Sequence, residues 1–290
     1  MVNIKVAQTA GFCFGVRIAV DMAKKAGEEL GHAYTNGPII HNKQVVNYLQ
    51  NLGIKELSDY SQLKPGETVI IRSHGVKPEV ERKLKSVGVN VLDATCPFVK
   101  KVHDKVRQLV EEGYFVVIIG EEGHPEVIGT LGHLEESGGQ GVVVENFEDL
   151  VKKIPKRNRI GVVAQTTQSE DFFREAVGYL AENTEELKVF NTICDATSVR
   201  QEEVKKLAPT VDIMIIIGGK HSGNTQRLAQ ISKALNPNTY HIETVDELQE
   251  EWFEGKENIG ISAGASTPDW IINEVVEKIK KIKGVNHERV

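Results

Sequence analysis

Short apolar runs recur along the whole chain and alternate with stretches in which apolar residues return every third or fourth position. The short runs read as buried strands and the longer stretches as amphipathic helices. Their alternation predicts an α/β protein with largely parallel sheets, whose strands are covered on both faces and so read as nearly continuous Val/Ile tracts. The expected strands are Ile4–Ala7, Thr68–Arg72, Val89–Leu92, Phe115–Gly120, Gly141–Val144, Ile160–Ala164, Leu187–Phe190, Val211–Gly218, Thr239–Glu243 and Asn258–Ser262.

Three strand ends share one unusual feature. Val89-Asn-Val91-Leu92 runs into Asp93 and Thr95, which are turn and N-cap residue types, and Pro97 suits the first position of a helix. Cys96 therefore lies at a helix N-terminus, where backbone N–H groups and the helix dipole favour a thiolate fit for metal ligation or nucleophilic attack. Cys13 follows a strand and Gly11 and precedes the helical pattern Val16 to Leu30. Cys194 follows Leu187-Lys-Val-Phe190 and precedes Asp195-Ala-Thr-Ser198 and the helical run Val199 to Leu207. Either these are three small buried residues, or they are ligands contributed by three separate units. The second reading divides the chain into residues 1–96, carrying Cys13, His41 and His74; 97–193, carrying His124, Glu126 and Thr166; and 194–290, carrying Cys194, Ser222, Asn224 and Ser266.

Composition narrows the chemistry. A hydrophobic share of 40% and a charged share of 26% are ordinary for a globular protein, and no apolar run approaches a membrane span. The first residues enter a strand without a basic or apolar leader, so a cytoplasmic location is expected. A net charge of −6 argues against a nucleic-acid partner. An odd count of 3 cysteines argues against a disulfide framework and leaves metal or thiol chemistry. A 4Fe-4S cluster held by three thiolates keeps one iron with an open position, a Lewis acid, and the wide spacing differs from that of a four-ligand ferredoxin.

Ligands of α/β sheets bind beyond the carboxyl ends of the strands, and those ends are polar here. Gly218–Thr225 reads as a phosphate cradle or as a simple helix cap; the P-loop and dinucleotide fingerprints are missing. His41, His74 and His124 sit in Gly/Pro-rich loops, as zinc ligands or as donors to an anionic substrate, without the close spacing that usually marks zinc. Glu126, after His124-Pro125, is either a general acid or a carboxylate that favours its helix dipole. Thr166 and Thr167 are strand-end hydroxyls able to orient a substrate alcohol.

These motifs together, Ala10-Gly-Phe-Cys-Phe-Gly-Val16, Gly37-Pro-Ile-Ile-His-Asn42, Arg72-Ser-His-Gly75, Asp93-Ala-Thr-Cys-Pro97, His124-Pro-Glu-Val-Ile-Gly-Thr130, Gln165-Thr-Thr167 and Ala263-Gly-Ala-Ser266, closely resemble the 4-hydroxy-3-methylbut-2-enyl diphosphate reductase family from end to end. The resemblance implies three α/β domains arranged as a pseudo-threefold trefoil around a central 4Fe-4S cluster bound by Cys13, Cys96 and Cys194. It implies a diphosphate held by His41, His74, His124, Ser222, Asn224 and Ser266. Many members have a second serine where this chain has Gly223, whose backbone N–H can still serve; His221 and Thr225 also differ from familiar residues. Thr166 and Glu126 match residues that engage the substrate alcohol, with Glu126 as proton source. The implied reaction is reductive dehydroxylation of an allylic diphosphate to isopentenyl and dimethylallyl diphosphate. With no flavin or nicotinamide motif, the electrons would come from a separate ferredoxin or flavodoxin. An aconitase-like hydro-lyase, consuming no electrons, and a cluster-based sensor, turning nothing over, are the rival readings.

Overall fold

The computed structural model describes residues 2–57, 59–156 and 158–284. By contacts the chain divides into two compact units. One comprises Met1–Phe14, His41–Val45 and Asp195–Val290, and the other Gly15–Ile40 and Val46–Cys194.

The second unit holds two four-stranded parallel sheets. Strands β2 (Ala33–Thr35), β3 (Ile54–Glu56), β4 (Thr68–Ile71) and β5 (Asn90–Asp93) form one, in the order β3-β2-β4-β5. Strands β6 (Phe115–Ile119), β7 (Gly141–Val144), β8 (Arg159–Ala164) and β9 (Glu186–Val189) form the other, in the order β7-β6-β8-β9. Residues alternate between faces along each strand, so Val117 and Ile119 of β6 pack with Leu150, Phe173 and Leu180, while Val116 and Ile118 pack with Val102, Val106 and Leu109. The helices are α2 (Lys43–Asn51), which begins in the other unit, α3 (Pro78–Val87), α4 (Pro97–Glu111), α5 (Pro125–Glu136), α6 (Phe147–Lys153) and α7 (Glu170–Asn183), with α1 (Phe14–Leu30) leading in.

The first unit holds β1 (Asn3–Val6), β10 (Ile213–Ile217), β11 (Thr239–Ile242) and β12 (Asn258–Ala263) in the parallel order β1-β12-β10-β11. The N-terminal strand thus completes the sheet of the C-terminal residues. Ile213, Ile215 and Ile217 face Val275 and Ile279 of α10 (Asp269–Ile282). Met214 and Ile216 face Val204 of α8 (Asp195–Leu207) and Leu228 of α9 (Gly223–Leu235).

All ten expected strands are present within a residue or two. The apolar pattern does not mark β2 and β3, because Ala-Tyr-Thr and Ile-Lys-Glu are too short and too polar to make an apolar run. Helix α8 starts at Asp195, four residues earlier than the apolar pattern suggests. No helix of the described residues is long and apolar enough to cross a membrane.

One strand order recurs in all three sheets, and it decides where ligands can bind. In each, two non-consecutive strands are central neighbours (β2 and β4, β6 and β8, β10 and β12). From β2 and β4, and from β6 and β8, the chain leaves the carboxyl ends in opposite directions and opens a crevice, while in the third sheet β1, from the start of the chain, takes the place beside β12 that β5 and β9 take beside β4 and β8. The loops carrying the histidines, Glu126, Thr166, Ser222, Asn224 and Ser266 are those loops. Each cysteine follows the fourth strand, β5, β9 or β1.

Candidate functional site

In the second unit, the crevice between β6 and β8 holds an acid. Glu126 is the second residue of α5, one position after Pro125, and is 2% exposed. Its Oε1 accepts from the Thr166 backbone N–H at 2.7 Å and its Oε2 from the Thr166 hydroxyl at 2.7 Å. Burial pushes the carboxyl up to about 7, against the two Thr166 hydrogen bonds, which favour the ionised form, and with a smaller push from Glu121. A buried carboxyl that exchanges its proton near neutrality, hydrogen-bonded to a hydroxyl on the facing loop, is equipped for general acid chemistry. Gln165 ties the two loops: its Oε1 accepts from Glu121 N at 2.9 Å and its Nε2 donates to the Thr167 hydroxyl at 2.9 Å. The strand-end amides around Thr166 hide this role in the sequence, where Gln165 stands only as a neighbour of two threonines.

His124 caps α5. Its Nδ1 accepts from the Glu126 N–H at 3.2 Å, an interaction open only to a ring unprotonated at Nδ1, which leaves Nε2 to carry the ring proton. The His74 ring meets it edge to face at 5.4 Å. The His74 loop is set by its neighbours: the Ser73 hydroxyl donates to Ile39 O at 3.0 Å, and Gly75, with φ +72, donates to Arg72 O.

Cys96 is itself the N-cap of α4, with Pro97 at the first helical position and Asp93 accepting from Thr95 N in the preceding turn. Space for its sulfur is provided by Gly15, where a Cβ would stand 2.4 Å from Cys96 Sγ. Cys96 N donates to Ser73 O at 2.9 Å and Cys194 N to Thr166 O at 3.0 Å.

The first unit repeats that bond, with Cys13 N donating to Ala265 O at 3.1 Å. Each cysteine amide is therefore tied to the loop after the third strand of its sheet, the loop that carries His74, Thr166 or Ser266. In this unit Ser222 caps α9, its hydroxyl accepting from Thr225 N, and Gly223 and Asn224 form the buried first turn. Both amide atoms of Asn224 are buried and have no hydrogen-bond partner among the described residues. The Ser266 hydroxyl donates to His41 O at 3.3 Å, and Gly219 lies so close to the same carbonyl that a Cβ there would meet it at 2.5 Å. His41, Ser222, Asn224 and Ser266 thus converge, whereas His221 is exposed and Thr225 is packed under Gly264. A helix start with a serine cap, a glycine and an amide lacking partners suits an anion with several acceptor oxygens.

The LytB protein family model matches residues 4–280 of the chain. The chain is 60% identical over 283 residues to the 4-hydroxy-3-methylbut-2-enyl diphosphate reductase of Aquifex aeolicus, covering 97% of each, and 46% identical over 280 residues to that of a Geobacter species, covering 97% of this chain and 98% of the relative. Among solved structures, a 4-hydroxy-3-methyl-but-2-enyl diphosphate reductase described as the terminal enzyme of the non-mevalonate pathway superposes with a TM-score of 0.72 at 60% identity, covering 97% of this chain and 100% of that one. The Plasmodium falciparum reductase superposes with a TM-score of 0.90 at 28% identity, covering 96% and 88%.

Proposed function

The chain belongs to the LytB protein family, and from that premise we propose that it reduces 4-hydroxy-3-methylbut-2-enyl diphosphate to isopentenyl and dimethylallyl diphosphate, the last step of the non-mevalonate route. In this reaction the C4–O bond breaks, the hydroxyl leaves as water, and two electrons and two protons enter. The observation that carries the reading is the Glu126 carboxyl, buried, poised near neutrality and bonded through both oxygens to Thr166.

Cys13, Cys96 and Cys194 would hold a 4Fe-4S cluster. Three soft sulfur donors suit iron–sulfur ligation, and Gly15 leaves the Cys96 sulfur the room it needs. When bound, the cluster supplies the electrons and a Lewis-acidic iron. The protein residues do the rest. Asn224, Ser222 and Ser266, the Gly223 N–H and the ring N–H groups of His41, His74 and His124 bind the diphosphate. The Thr166 hydroxyl orients the substrate alcohol, and Glu126 Oε2 holds the proton that the departing hydroxyl takes. An external carrier such as ferredoxin or flavodoxin delivers the electrons, and a reducing cytoplasm keeps the thiols available.

The test is anaerobic turnover of the reconstituted protein with the allylic diphosphate and a chemical reductant. Two electrons consumed per product formed, and dehydroxylated C5 diphosphates, are expected. Turnover without electron uptake would establish a hydro-lyase instead, and binding without any turnover a sensor.

A further inference from the structure

Helix α8 begins next to Cys194 in the chain, but its inner face grips the loop at the other end of the sequence. Arg200, buried to 5% exposure, donates through Nη2 to Gly11 O at 2.7 Å and through Nη1 to Ala196 O at 2.8 Å. One turn on, Glu203 accepts from Gln8 N at 2.6 Å, from Thr9 N at 3.0 Å and from the Thr9 hydroxyl. Residues three apart on a helix share a face, so the two side chains act on the same stretch, residues 8–11, which connects β1 to Cys13.

The loop between β1 and Cys13 has little freedom left. Ala7 N donates to Ile261 O, and Cys13 N to Ala265 O. Gly11 has φ +110, and a Cβ there would meet Asp269 Oδ1 at 2.8 Å, so any side chain at this position is strained. The guanidinium on the Gly11 carbonyl fixes the Gly11–Phe12 peptide plane, and planarity turns the Phe12 N–H to the opposite side. With the Cys13 N–H also fixed, both peptides flanking Phe12 are set. A guanidinium is costly to bury and persists only where it makes strong directed bonds. A neutral side chain would suffice merely to fill the space.

We infer that Arg200 and Glu203 are positioning residues for Cys13, holding its loop in the conformation that presents the sulfur to the cluster. This rests on the cluster reading above. Without the clamp the fold persists through sheet pairing, but the thiolate samples other directions, and the cluster is bound less tightly and in an altered field.

The test uses the full chain, reconstituted anaerobically, as wild type, Arg200→Met, Arg200→Lys and Glu203→Gln, with Cys13→Ser, Cys96→Ser and Cys194→Ser as controls. Readouts are iron and sulfide per chain, the rate of iron loss to a chelator, the electron paramagnetic resonance spectrum and midpoint potential of the loaded fraction, and melting of the metal-free chain. Arg200→Met is expected to lose iron at least ~10-fold faster than wild type, with a changed spectrum and potential, as weakening a ligand's supporting shell typically costs 10–100-fold in metal binding. Arg200→Lys, which keeps the charge but not the two-pronged geometry, should fall between them. Should Arg200→Met fail to fold, Glu203→Gln decides by the same measurements. Wild-type iron retention, spectrum and potential in the folded variants would overturn the inference, even if their metal-free melting point fell. If instead the wild type took up no cluster, or the Cys→Ser controls kept it, the cluster reading itself would fail.

Discussion

Glu126→Gln separates proton donation from every other role of that side chain. In the protonated wild type, Glu126 Oε1 accepts from Thr166 N and the Oε2–H donates to the Thr166 hydroxyl. In the variant, the amide oxygen and Nε2–H take the same two places, so shape and both 2.7 Å contacts survive. Only the transferable proton is lost. A carboxyl at its ordinary value of 4.5 would be protonated in about one molecule in 300 at pH 7, whereas one raised to about 7 is protonated in about half. General acid catalysis is worth ~10²–10⁴-fold, so kcat should fall at least ~10²-fold with KM and iron content nearly unchanged. Wild-type kcat should decline about tenfold per pH unit above the carboxyl's value in the substrate complex, which the diphosphate charge raises further, and the residual rate of the variant should be flat there. Stability supplies an independent signature. A carboxyl raised on folding contributes stability below its unfolded value and loses it as pH rises through about 7, so at pH 8 the variant should melt at or above the wild type. Stopped-flow and steady-state kinetics from pH 6 to 9, with thermal melts at pH 5 and 8, are the assays. A variant turning over within a few-fold of wild type with its cluster intact would reduce Glu126 to a helix-start carboxylate.

Asn224→Leu should raise the melting point of the metal-free chain, since a buried amide lacking partners costs about 1–3 kcal/mol, while weakening binding of the diphosphate at least ~10-fold by calorimetry; unchanged affinity would remove Asn224 from the anion site. Gly15→Ala places a methyl group 2.4 Å from Cys96 Sγ, so iron per chain should fall even though alanine is the better helix former; full iron content would show that the sulfur has room elsewhere. His103 and His133 stack at 4.0 Å between α4 and α5, and burial, with Arg107 beside His133, lowers them to about 3 and about 4. Their stabilisation is present above the unfolded value of 6.5 and is lost as pH falls from there towards 3, so the folding equilibrium should weaken by up to about tenfold per pH unit per ring, and denaturant melts of His103→Asn should depend less on pH over that window.

The part of the candidate site that rests on local rules is legible in the sequence. Pro97 after Cys96 and Pro125 after His124 mark helix starts through the fixed φ of proline, and the Val/Ile runs mark strands through their period. The ten apolar strands, the helix-terminal setting of Cys96 and the place of Glu126 in the first turn of a helix all follow from neighbours within a few residues. Sequence neighbours could not reveal that β1 pairs with β12 or that two polar triplets are strands, since partner choice in a parallel sheet depends on residues far away in the chain. The chemical character of the site also came from the tertiary structure. Glu126 is an acid near neutrality because folding removes it from water and sets Thr166, forty residues on, against both of its oxygens. The same holds for the Nε2–H tautomer of His124, for the Asn224 amide, buried without a hydrogen-bond partner among the described residues, and for the reach of Arg200 to Gly11. Residue type and spacing determine what each of these groups can do, but desolvation and hydrogen-bond direction, which determine what it does, are properties of the folded chain.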